Sequence, residues 1–80
     1  MEGVCFIVPF YNNTNSVGGV VRSINDIGYK VIAVNDGSTD DSLAKAESAN
    51  PYATVSYQKN KGKGYAIRAG FKKALELGYL

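Results

Sequence analysis

The segment Lys30–Ser42, KVIAVNDGSTDDS, constrains the fold more than any other stretch of the chain. Val31, Ile32, Ala33 and Val34 form an unbroken apolar run, the pattern of a strand covered on both faces, as in a parallel α/β sheet. Asn35-Asp36-Gly37 ends the run, and the glycine supplies the sharp turn from strand to helix. Ser38 and Thr39 are suitable helix N-caps, with Asp40 and Asp41 at the positive end of the helix that follows. The strand therefore delivers Asn35 and Asp36 to its C-terminal tip, where open α/β sheets bind ligands. Asp40 and Asp41 would repel a phosphate at this helix start, so Asp36 is read as an acceptor for the ring N–H groups of a base. From these residues alone a plain turn, with Asp36 bonding its own backbone, is the simpler reading.

Two further apolar runs flank this segment. Val4–Val8 (VCFIV) predicts a second buried strand, ended by Pro9, and Ala53–Tyr57 (ATVSY) alternates as a half-exposed strand does. Between the first two strands, Val17, Val20, Val21, Ile24 and Ile27 recur on one helical face, and Gly28 is placed to stop the helix. A weaker helix is expected from Thr39 to about Ala49, ended by Asn50-Pro51. A third runs from Tyr65 to Leu77, with an apolar stripe (Ile67, Phe71 and Ala74 or Leu75) and a small-residue stripe (Ala66, Gly70, Ala74). The small residues would let this helix lie close to the sheet. Strand and helix alternate throughout, which implies a parallel sheet with right-handed crossovers.

Composition narrows the class. With 80 residues the chain is one small domain at most, and 45% apolar content makes it globular. A net charge of +2 is too small to suggest nucleic acid as a partner. There is no histidine, and the single Cys5 excludes an internal disulfide. No run is long enough to span a membrane, and nothing marks the chain for secretion.

Three loops leave C-terminal strand tips: Pro9–Thr14, Asn35–Thr39 and Gln58–Gly64. On adjacent strands they would gather an aromatic (Tyr11), a carboxylate (Asp36) and a basic, glycine-rich segment (Lys59, Lys61, Gly62, Lys63, Gly64) along one edge. That set suits a nucleotide, through ring stacking, base hydrogen bonding and phosphate attraction. Equally, Tyr11 could cap the core and the lysines could form a solvated loop. Neither a dinucleotide fingerprint nor a GxxxxGK[ST] motif occurs.

Taken together and in order, VPFYN (Val8–Asn12), VNDGSTDDS (Val34–Ser42) and NKGKGYAIRAGFKKALELGY (Asn60–Tyr79) resemble the N-terminal part of family 2 glycosyltransferases, nearest to the dolichyl-phosphate mannose synthase type. The resemblance implies a nucleotide-diphospho-sugar transferase fold, here a three-stranded parallel sheet of order 3-2-1 with helices on both faces, residues 1–80 being part of one catalytic domain. It implies that Pro9 and Tyr11 line the base pocket, that Asp36 contacts the base, and that Asn60, Gly62, Lys63 and Arg68 lie near the nucleotide. Asn13 and Asn35 depart from the glutamate and aspartate usual at those positions.

In a full-length enzyme the resemblance implies a nucleoside-diphosphate sugar donor, a lipid or polysaccharide acceptor, and a divalent cation (Mg or Mn). The D-x-D motif that holds the cation is absent from these residues. The 80-residue chain alone is thus expected to bind no metal and to be inactive. The expected location is the cytoplasm, at the membrane face for a full-length protein. An unprotected Val4–Val8 edge, or the face beside Ile67 and Phe71, predicts a homodimer or larger self-associated species. A non-enzymatic nucleotide-binding or interaction module is the alternative.

Overall fold

The computed structural model describes residues 3–79. Strand and helix alternate as β1 (Cys5–Phe10), α1 (Val17–Ile27), β2 (Lys30–Asp36), α2 (Ser42–Ser48), β3 (Ala53–Tyr57) and α3 (Lys63–Glu76). The three strands form one parallel sheet in the order β1-β2-β3, with Phe6 opposite Val31, Ile32 opposite Ala53 and Asp36 opposite Tyr57. This is the expected 3-2-1 order, an α/β architecture of the nucleotide-diphospho-sugar transferase type.

β2 is central, which is why its apolar run is unbroken. Its side chains alternate between two separate cores. Val31 and Ala33 face α1 and α2, packing with Phe10, Val17, Val21, Ala46 and Ala49. Ile32 and Val34 face α3, packing with Ile7, Val55, Ala66 and Ala74. The first two helices thus cover one face and the third covers the other, as right-handed crossovers require.

Several boundaries differ from those expected. β1 runs through Pro9 to Phe10 instead of stopping before the proline. β1 is an edge strand, where a missing backbone N–H need not break the ladder. α2 begins at Ser42, not Thr39, because Ser38–Asp41 is held in a loop by side chains of the β1–α1 segment. α3 begins at Lys63, two residues earlier than Tyr65. In α1, Val17 and Val21 are buried, but Val20 is half exposed and Ile27 is largely exposed. The buried face of the helix is narrower than the apolar spacing suggested.

α3 inverts the usual arrangement. Its small residues Ala66, Gly70 and Ala74 are buried against the sheet, while Ile67, Phe71 and Leu75 stand exposed. A Cβ at Gly70 would run into Ile7 and Val34, so the glycine sets how closely helix and sheet approach. No helix among the described residues is long and apolar enough to cross a membrane.

Candidate functional site

The C-terminal strand tips are laced together by side-chain bonds to backbone. Asn12 adopts the left-handed conformation (φ 48°) and lies beyond the end of β1. It is fixed by the Ser38–Thr39 loop: its N–H donates to Ser38 Oγ (3.0 Å), and its Oδ1 accepts from the Thr39 N–H (2.8 Å). Asn13 N–H donates to the buried Ser42 Oγ at 2.7 Å, and Thr14 Oγ1 donates to Asp41 Oδ1 at 2.7 Å. Asp40 accepts from both the N–H and the hydroxyl of Ser42, and these bonds hold its carboxyl below the usual range. Asp40 and Asp41 therefore organise a loop ahead of α2, and do not form its first turn. Asn35 braces the other side, donating to Ser56 Oγ (3.1 Å) and accepting from the Ser38 N–H (3.0 Å).

Asp36 is the centre of the arrangement. It is only 4% exposed, and its two carboxylate oxygens accept from the backbone N–H groups of Lys61 (2.8 Å) and Gly62 (3.1 Å). Burial alone would raise its pKa. The Lys61 N–H, the nearby Tyr57 hydroxyl and the Gly62 N–H outweigh burial and leave the carboxyl below its ordinary value. The charge also lies just ahead of the α3 N-terminus, where an anion is favoured. The loop to which Asp36 binds comes so close that a Cβ at Gly37 (φ 73°) would overlap the Asn60 backbone. Asp36 was expected to reserve its oxygens for a base. Its first task in this structure is to hold the Lys59–Gly62 loop. A carboxylate has about four acceptor sites in all, so capacity remains for a ligand.

Tyr57 stands beside Asp36, as its register partner on the adjacent strand. Its hydroxyl is buried with no partner in hydrogen-bonding geometry, and burial, followed by the Asp36 charge, pushes its pKa up. Its ring meets Tyr65 edge-on at 5.1 Å, and Lys61 Nζ lies 5.2 Å from the centre of the Tyr65 ring.

A cavity of about 220 Å3 opens at this edge of the sheet. Pro9, Phe10 and Tyr11 line one side, Asp36 the floor, and Asn60, Gly62 and Lys63 the other side. Six of the seven residues expected around the nucleotide thus converge: Pro9, Tyr11, Asp36, Asn60, Gly62 and Lys63. Arg68 does not join them, since it projects from α3 into a different cavity. The volume lies below the roughly 300–1,000 Å3 of whole-ligand pockets. It suits a flat, base-sized group against Tyr11, which is half exposed.

Residues that the sequence did not single out also contribute. Phe10 is a cavity wall, Asn12 and Ser42 are loop ties, and Tyr57 is the neighbour of Asp36. Asn12 alone carried a signal, as asparagine is among the few residues that enter the left-handed region readily. Tyr57 becomes visible only once strand register is known.

Among the described residues no three Cys, Asp or Glu side chains gather to hold a metal ion. Asp36 is occupied by backbone donors and Asp40 by Ser42. Residues 3–79 therefore do not fit a resident divalent cation.

The model of Glycosyl transferase family 2 matches residues 5–76 of the chain. The chain belongs to glycosyltransferase family 2. Glycosyltransferase AglJ of Haloferax volcanii is 30% identical over 80 residues, covering 99% of this chain and 26% of that protein. Poly-beta-1,6-N-acetyl-D-glucosamine synthase of Staphylococcus aureus is 29% identical over 80 residues, covering 92% of this chain and 19% of that protein. This family 2 chain therefore spans from 19% to 26% of the length of these relatives. No solved structure matches it.

Proposed function

We propose that residues 1–80 form the donor-nucleotide-binding part of a family 2 glycosyltransferase. The observation that carries this reading is the convergence of Pro9, Tyr11, Asp36, Asn60, Gly62 and Lys63 on one cavity at the C-terminal edge of a parallel sheet. The base stacks on Tyr11 beside Pro9 and donates ring N–H groups to the free acceptor sites of Asp36. Asn60 and Gly62 shape the opposite wall. Lys63 stands where a diphosphate would leave the cavity, and a single mobile cation there favours the charge without fixing its orientation.

On this reading the whole protein transfers a sugar from a nucleoside-diphosphate sugar to a lipid or polysaccharide acceptor. A glycan acceptor agrees with the product named for the staphylococcal relative. The VPFYN, VNDGSTDDS and NKGKGYAIRAGFKKALELGY segments, taken in order, support the dolichyl-phosphate mannose synthase type within the family. The divalent cation draws its ligands from outside residues 3–79, and the work is done in the cytoplasm or at its membrane face. These 80 residues alone bind donor but transfer no sugar. Self-association through the β1 edge, or through the Ile67–Phe71 face, completes the reading, supported by the exposure of Phe6, Ile67 and Phe71.

Isothermal calorimetry with uridine and guanosine diphosphates tests the donor site. One of the two is expected to bind, and Tyr11→Ala, at an exposed position, should weaken it about tenfold, the value of one base–aromatic stack of roughly 1–3 kcal/mol. Equal affinity in the variant would remove Tyr11 from the site. No binding of either nucleotide would overturn the proposal.

A further inference from the structure

We infer that the cleft between β3 and the outer flank of α3 is a second ligand site, for a phosphate ester carried on an apolar or aromatic body. α3 packs on β1 and β2 and only lightly on β3, which leaves the α3-side face of β3 open. The resulting cavity is about 490 Å3, more than twice the size of the one beside Asp36 and within the range of small-molecule pockets. Val55 and Tyr57 form its floor, and Tyr65, Arg68, Ala69 and Lys72 form its wall.

Charge points to the ligand. Arg68 and Lys72 stand four residues apart on one helical face, where like charges are unfavourable unless something neutralises them. Neither has a carboxylate or hydrogen-bond partner among the described residues. The one carboxylate on the rim, Glu76, is held 3.6 Å from Lys73. Two free cations one turn apart match a phosphate dianion better than a single carboxylate. The arginine offers two parallel donors and the lysine a point charge. Val55 and Ala69 make the adjoining surface apolar, and the Tyr57–Tyr65 pair closes one end with aromatic rings. This site also gives Arg68 a role that the first cavity does not. Tyr57 lines this cleft while its hydroxyl approaches Asp36, so the two cavities are neighbours and the test must separate them.

Titration of the 15N-labelled 80-residue chain with phenyl phosphate, inorganic phosphate and benzoate, followed by amide shifts, provides that test. Saturable shifts from phenyl phosphate are expected at Val55, Ala69 and Lys72, with weaker binding of inorganic phosphate and of benzoate. The double variant R68Q/K72Q should lose about tenfold or more in affinity, the share of a charge-assisted bond. R68K/K72R should restore it, and Tyr11→Ala should leave it unchanged. Cosedimentation with phosphatidylcholine vesicles containing phosphatidic acid, if abolished in R68Q/K72Q, assigns the ester to a lipid. Binding of phenyl phosphate without such cosedimentation assigns it to a soluble molecule. Shifts centred on Tyr11 and Lys63, affinity unchanged in R68Q/K72Q, or benzoate binding as tightly as phenyl phosphate would each overturn the inference. A failed donor site shows itself separately, as absent nucleoside diphosphate binding in the unaltered chain.

Discussion

Replacing Asp36 by asparagine tests whether this carboxylate organises the site as well as lining it. The two side chains have nearly the same shape, so the change isolates charge and acceptor capacity. In the native protein one oxygen accepts from Lys61 N–H at 2.8 Å and the other from Gly62 N–H at 3.1 Å. Asparagine can satisfy one of these donors. Its amide nitrogen then faces the other, leaving a backbone N–H orphaned beneath the loop. An orphaned buried donor costs about 1–3 kcal/mol, and the surviving bond loses its charge assistance, for a total of about 2–4 kcal/mol. A chain of 80 residues has roughly 4–12 kcal/mol of stability to lose. At about 4–8 °C per kcal/mol for a domain of this size, Tm should fall by roughly 8–30 °C. Thermal melts by circular dichroism, with urea melts as a check on cooperativity, measure it directly. A fall of less than about 3 °C would refute the bracing role and return Asp36 to a ligand contact alone.

The remaining predictions concern close approach and pH. Gly70→Ala should destabilise by about 1–3 kcal/mol through overpacking against Ile7 and Val34, despite a helix-propensity gain of up to about 1 kcal/mol, as read from urea midpoints. A neutral or stabilising result would show that α3 can shift outward freely. Gly37→Ala should be more damaging still, because it combines a left-handed backbone with overlap on the Asn60 backbone; a folded variant with native nucleotide affinity would contradict this. Asp36 and Asp40 both have folded pKa values below the unfolded carboxylate value of about 3.9. Their contribution is fully present above that value and is lost as the pH falls through the lower, folded values. Urea stability should therefore be flat from neutral pH down to about 5 and fall below about 4, with a shallower fall in Asp36→Asn.

The sheet was legible because β2 is apolar on both sides, and only a central strand has reason to be. Helix starts were less legible. Ser38, Thr39, Asp40 and Asp41 are good N-terminal residues wherever they stand, and their capacity is spent here on Asn12, Thr14 and Ser42 across a gap in sequence. The α3 stripes were both visible, but apolarity alone cannot show that the small stripe is the buried one. That follows from how near the helix must lie to Ile7 and Val34. Most of the lining of the first cavity could be listed from the family resemblance, and those residues meet because loops at the tips of neighbouring parallel strands share one edge. Arg68 lines the neighbouring cleft with Tyr57 and Tyr65 instead, its guanidinium lying alongside Gly64 in the first turn of α3.

The small-residue face of α3 has a consequence for motion. A helix that buries methyl groups and a bare backbone brings little apolar area of its own, at about 25 cal/mol per Å2, so most of what its docking gains comes from the sheet side chains it covers. Most of the apolar side chains that might have anchored it, Ile67, Phe71 and Leu75, face outward. β2 by contrast is sealed on both sides. The side chains that hold α3 down belong to the sheet, so its release uncovers Ile7, Ile32, Val34 and Val55 together, and its central amide hydrogens should exchange only as that face comes apart. The hinge of that release is the Lys61–Gly62 pair clasped by Asp36, so the wall of the first cavity and α3 share one pivot.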